Sequence, residues 1–159
     1  MTGRLLIVLR GVTGVGKSCT AKALVEYLGR DNTTRLNMDQ ILPEPLERNI
    51  LSALRSERVI AEIYSGRQNL ANPTQWITRF KEAGYIAISI RLDISLEAGR
   101  ARCLKRDPDR RNYDELYRQF YHDPKFTAFP DRAKVEEFSI DVENKDTKAI
   151  CCEVLKLLE

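Results

Sequence analysis

The sequence predicts an α/β fold of three layers, with a parallel five-stranded sheet between two layers of helices. Three observations predict it. Short apolar runs alternate with amphipathic segments along the 159 residues. The first run is apolar without alternation, as a strand buried on both faces is. A glycine-rich turn then joins that run directly to a helical pattern.

The first strand is Leu5 to Leu9. From Lys17 to Leu28, Ala21, Leu24, Val25 and Leu28 fall on one helical face, and Gly29 is a stop signal. Thr34 to Met38 reads as a short second strand that ends at Asp39. Pro43 and Pro45 open a segment with Leu46, Ile50, Ala53 and Leu54 at helical spacing, and Val59 to Tyr64 is the third strand. Asn72-Pro73 is a cap and first-turn pair for a helix burying Trp76, Ile77 and Phe80. Tyr85 to Leu92 is the fourth strand, and Ser95 caps a helix running to about Arg106. Phe138, Ile140 and Val142 alternate as a fifth strand, and Asp146 precedes a last helix with Ile150, Val154, Leu157 and Leu158. Such alternation implies right-handed crossovers covering both faces of one sheet. The stretch 107–137 is polar and aromatic and resists assignment. A segment well beyond about 12–15 residues without clear structure is expected to be functional, here as a lid over a bound nucleotide.

Composition narrows the class. Apolar residues make up 43% and charged residues 31%, which excludes disordered and membrane chains. No apolar run approaches about 18 residues, so a cytoplasmic protein with no membrane partner and no obligate protein partner is expected. Cys19, Cys103, Cys151 and Cys152 lack C-x-x-C spacing and are expected as reduced thiols. His122 is the single histidine, which excludes a histidine-rich metal centre.

The strongest chemical signal is Gly11-Val-Thr-Gly-Val-Gly-Lys-Ser18, a match to G-x-x-x-x-G-K-[ST] between a buried strand and a helix. Glycines let backbone N–H groups converge on phosphate oxygens, and the helix N-terminus adds positive potential at the same point. Gly11, Thr13, Gly14, Val15, Gly16, Lys17, Ser18 and Cys19 are therefore expected to bind the nucleotide. Lys17 is expected on the β and γ phosphates, and the Ser18 hydroxyl on Mg²⁺. The expected fold is thus a P-loop NTPase of the nucleoside- and nucleotide-kinase kind, with ATP and Mg²⁺ as cofactors.

A P-loop alone does not name a reaction. Asn144-Lys145-Asp146 is one residue short of the N-K-x-D of a GTPase. No apolar strand is read as ending in the paired acid of an ATPase motor. Asp39, at the sheet edge that carries the loop, reads equally as a base for an attacking hydroxyl or as a helix cap. Arg100, Arg102, Lys105, Arg106, Arg110 and Arg111 crowd the fourth helix and its exit, as phosphoryl transfer requires. Tyr64, Arg67 and Asn69 follow the third strand and are expected to face the acceptor, an anionic or sugar-like group. Tyr113, Tyr117, Phe120 and Tyr121 fall at helical spacing, which suits packing more than base stacking.

Over most of residues 5–120 the sequence resembles the P-loop kinases related to polynucleotide 5′-kinases. The resemblance rests on Asn37-Met38-Asp39, on Asn69-Leu70 with Asn72-Pro73, and on Leu104-Lys-Arg106-Asp-Pro-Asp-Arg110. It implies Lys17, Asp39, Arg106 and Arg110 as catalytic residues, and a nucleoside or polynucleotide 5′-hydroxyl as acceptor, including a nucleic-acid 5′ end. Leu42 and Arg67-Gln68 depart from the family at the acceptor side. Asp123-Pro124, Phe126-Thr127 and Phe138 to Asn144 are similar to adenylylsulfate kinases. That likeness keeps a small-molecule alcohol open as acceptor, whether a metabolite, an adenylylsulfate-like compound or an antibiotic. A nucleotide-binding regulatory protein without kinase activity is the other class compatible with the motif.

Overall fold

The computed structural model describes residues 3–38, 43–64 and 73–159. The strands are β1 (Arg4–Gly11), β2 (Thr33–Asn37), β3 (Arg58–Tyr64), β4 (Tyr85–Asp93) and β5 (Glu136–Asp141). All pair in parallel in the order β2-β3-β1-β4-β5. Between them run α1 (Lys17–Leu28), α2 (Pro43–Ala53), α3 (Pro73–Glu82), α4 (Leu96–Arg106), α5 (Tyr113–His122), α6 (Pro124–Thr127) and α7 (Phe129–Ala133), and α8 (Thr147–Leu157) follows β5.

The central strand explains its own run of leucine, isoleucine and valine. Leu5, Ile7 and Leu9 face α1, α4, α5 and α8, while Leu6 and Val8 face α2, α3 and α7. Each face therefore has its own core. On the first, Leu24, Ile90, Leu92, Phe120, Ile150 and Val154 are buried together. On the second, Met38, Ile50, Val59, Trp76, Phe80 and Phe129 are. Trp76 is thus a core residue, as its spacing predicts.

Helix starts follow local chemistry. The Ser95 hydroxyl accepts from the Ala98 N–H at 3.2 Å, and the Asp146 carboxylate accepts from the Ala149 N–H at 2.8 Å. Asp123 caps α6 in the same manner, with Pro124 in its first turn.

Two strand boundaries differ from the sequence reading by two residues, and the others by one at most. β1 continues past Leu9 through Arg10 and Gly11, because Arg10 is buried by partners described below. β5 starts at Glu136, ahead of the first apolar residue of its alternating pattern. The stretch 107–137 carries three helices. Its aromatic side chains pack: Tyr113 and Phe120 join the first core and Phe129 the second. The Tyr117 hydroxyl donates to the Ile94 carbonyl at 2.7 Å. That leaves 107–112, between α4 and α5, as the part of the stretch without helix or strand on the loop side.

Candidate phosphate-transfer site

The loop after β1 turns at the carboxyl edge of the sheet and enters α1. Gly16 has φ 100°, a left-handed conformation that disfavours any residue with a Cβ. At Gly11 the constraint is space: a Cβ there would lie 2.6 Å from Val15 Cγ1 and 3.1 Å from the Leu92 carbonyl oxygen. Val12 and Val15 are buried and anchor the loop from beneath, and the Val15 N–H donates to the Val12 carbonyl at 3.3 Å. Gly14 rests on α4 at Cys103.

Lys17 is buried, and its ammonium donates to the carbonyls of Gly11 at 2.6 Å and Val12 at 3.1 Å. The ammonium is thereby held within the glycine-rich loop. Ser18, in the first turn of α1, donates its hydroxyl to Glu62 Oε1 at 2.7 Å. Glu62 is 1% exposed, and its other oxygen accepts from Arg35 Nε on β2.

Glu62 is the residue that sequence reasoning missed. Val59-Ile60-Ala61-Glu62 is an apolar run meeting an acid, and β3 lies beside β1 with Glu62 opposite Leu9. Glu62 stands alone and inside β3, ahead of Ile63 and Tyr64, so it is not the paired acid at a strand end that an ATPase motor carries. A hydroxyl and a carboxylate adjacent at the mouth of a phosphate loop are the hard oxygen donors Mg²⁺ takes. Among the described residues no group of three His, Cys, Asp or Glu side chains could hold a metal ion. Phosphate and water would therefore complete the coordination of an ion at Ser18.

Arg106, at the end of α4, donates from Nη2 to the Thr13 hydroxyl at 2.9 Å, which brings it over the loop. Arg110 Nε lies 3.5 Å from Asp107 Oδ2, is buried, and makes no hydrogen bond. A buried guanidinium N–H without a hydrogen-bond partner is an uncompensated donor that a ligand oxygen would satisfy. Arg102, although one helical turn before Arg106, instead donates to the Val142 and Glu143 carbonyls at 3.1 and 3.0 Å. Arg100 forks onto Asp114 at 2.8 and 2.7 Å, fastening α5 to α4. Asp39, Arg67 and Asn69 lie outside the described residues, as does the Tyr64 side chain. The Tyr64 backbone pairs with Gly11 at the end of β3.

The thiols separate by depth. All four are free; Cys19 and Cys152 are exposed, while Cys103 and Cys151 are buried. Burial pushes the Cys151 thiol up to about 11. An aromatic disulfide reagent at pH 8 is expected to label Cys19 and Cys152 in the native protein and all four after denaturation. Mass mapping of the adducts checks it; rapid native labelling of Cys151 would contradict the packing of α8 on α1.

Comparison with solved structures places this geometry. A gluconokinase from Sinorhizobium meliloti 1021 superposes with a TM-score of 0.60 at 18% identity, covering 98% of this chain and 92% of that one. The fold is that of the P-loop kinases. A shikimate kinase from Bacteroides thetaiotaomicron has the same P-loop kinase fold, with a TM-score of 0.60 at 14% identity and coverage of 97% and 98%. So does the tunicamycin resistance protein of Deinococcus radiodurans, with a TM-score of 0.60 at 14% identity and coverage of 97% and 95%. Comparisons with protein families and with curated proteins gave no match.

Proposed function

We propose that this protein is an ATP- and Mg²⁺-dependent kinase that moves the γ-phosphate onto a hydroxyl of a small molecule. The observation that carries the reading is Arg106 reaching from α4 to Thr13 in the phosphate loop. A cation brought over the loop by a separate element suits group transfer, where charge gathers on the equatorial and leaving oxygens. The P-loop kinase fold supports it, and the gluconokinase and shikimate kinase neighbours favour a small alcohol over a polynucleotide 5′ end.

In this reading the loop N–H groups and Lys17 hold the β and γ phosphates. Mg²⁺, when bound, neutralises phosphate charge, and Ser18 and Glu62 are the residues that would hold it. The acceptor oxygen attacks phosphorus in line as the bond to the β-phosphate oxygen breaks and ADP leaves. Asp39 takes the acceptor proton. Arg106 and Arg110 stabilise the migrating group, with 107–112 as the lid segment that carries Arg110. Tyr64, Arg67 and Asn69 face the acceptor.

Transfer of labelled γ-phosphate from ATP is the test, offered to gluconate, shikimate, neutral sugars and a 5′-hydroxyl oligonucleotide. Transfer to a small alcohol, reduced by about 10²-fold in Asp39→Asn with ATP binding intact, is the expected result. Transfer to the oligonucleotide alone would return the acceptor to nucleic acid. ATP binding with no transfer to any of them would favour a regulatory protein.

A further inference from the structure

Outside the phosphate site, the sheet face turned towards α2, α3 and α7 carries a line of charged groups, buried at Arg10 and partly buried beyond it. Arg10 begins it. The residue is 4% exposed and immediately precedes Gly11. Its Nη1 pairs with Glu137 on β5, and its Nη2 donates to the Phe126 carbonyl in α6 at 2.7 Å. The guanidinium also lies 4.6 Å from the Phe129 ring centroid and 5.4 Å from that of Phe120. One side chain of the loop-bearing strand thus touches α5, α6 and α7.

The line continues across the sheet. Glu137 accepts from the Ser89 hydroxyl at 2.7 Å and stands 3.7 Å from Arg91 Nη1. Arg91 forks onto Asp93 at 2.8 and 3.0 Å. Asp93 accepts from the Tyr121 hydroxyl at 2.9 Å, which brings the circuit back to α5. Packing alone does not call for this. Leu5 to Leu9 show that the strand accepts aliphatic residues on both faces, and burying a guanidinium is costly even when it is paired.

We propose that Arg10 is a positioning residue that couples occupancy of the phosphate loop to helices α5–α7, and through them to the 107–112 segment. The physical link is short. Lys17 is bonded to the carbonyl of Gly11, the residue next to Arg10. Phosphate competes for that ammonium, and any resulting shift of the Gly11 peptide is transmitted to the Arg10 side chain and its partners. The coupling rests on nucleotide binding at the loop, not on the identity of the acceptor.

Hydrogen exchange with and without Mg²⁺ and a non-hydrolysable ATP analogue tests it, comparing the wild type with Glu137→Gln and Tyr121→Phe. Both substitutions nearly preserve shape, and thermal melts confirm that each variant is folded. In the wild type, nucleotide is expected to slow exchange in 11–20 and, by roughly tenfold, in 113–133. Glu137→Gln is expected to keep the protection of 11–20 and lose most of that in 113–133. Tyr121→Phe, which cuts the Asp93 arm and the 3.4 Å bond that the hydroxyl accepts from the Ile94 N–H but leaves Arg10 and Glu137 paired, is expected to lose part of it. Protection of 11–20 without any in 113–133, or equal protection of 113–133 in all three proteins, would overturn the coupling. No protection of 11–20 in the wild type would overturn the nucleotide site and the coupling with it.

Discussion

Glu62→Gln is expected to lower phosphate transfer by roughly 10²–10³-fold while ATP affinity changes by no more than about threefold. The reason is the division of labour within the site. In the proposed reading loop N–H groups and Lys17 bind phosphate, and none of them is altered by the substitution. Glu62 accepts from the Ser18 hydroxyl at 2.7 Å and, with Ser18, would hold the metal. An amide of equal size keeps an acceptor for that hydroxyl but removes the negative charge next to the expected Mg²⁺ position. The loss is therefore in kcat and in the Mg²⁺ concentration needed, which should rise. Arg35 loses its charged partner as well, so a thermal melt must accompany the kinetics. Wild-type turnover at limiting Mg²⁺ by a folded variant would remove Glu62 from the metal's surroundings.

Phe80→Ala is expected to destabilise the fold by about 3–5 kcal/mol and to lower Tm by about 10 °C or more. Phe80 is 0% exposed at the centre of the second core. Its ring meets Trp76 edge-on at 6.2 Å and Tyr85 edge-on at 5.0 Å, and Arg4 stacks over Tyr85 at 4.5 Å. Truncation removes two aromatic contacts and leaves a cavity that the parallel strands behind it cannot close. Leu51→Ala is the control, because Leu51 is 53% exposed and should change stability by under about 1 kcal/mol. Equal losses in the two variants would contradict the assignment of Phe80 to the core.

Local patterns made most of the fold legible. The run Leu5 to Leu9 and the glycine-rich turn after it identify a strand, a loop and a helix whose signals lie within a few residues of one another. Glu62 was harder because its partner is remote: nothing near it in sequence names Ser18, and only the placing of β3 beside β1 joins them. The acid also sits inside the strand, ahead of Ile63 and Tyr64, rather than at its end. Arg10 was hidden in the same way. A charged residue after five apolar ones reads as the end of a strand, and its partner Glu137 belongs to the far end of the chain. In 113–133 the helical spacing of Tyr113, Tyr117 and Phe120 was visible, but α6 and α7 are too short to show a period.

The strand order bears on how the chain is assembled as well as on where its site lies. β1 is made first yet stands in the middle of the sheet, and its two neighbours begin only at Arg58 and Tyr85. Until both have left the ribosome, Leu5 to Leu9 have unpaired backbone and exposed aliphatic faces on either side. The most apolar segment of the molecule is therefore the one that waits longest for cover. A chaperone that holds nascent chains would find its natural grip on that strand, so the loop that defines the chemistry is completed late in folding.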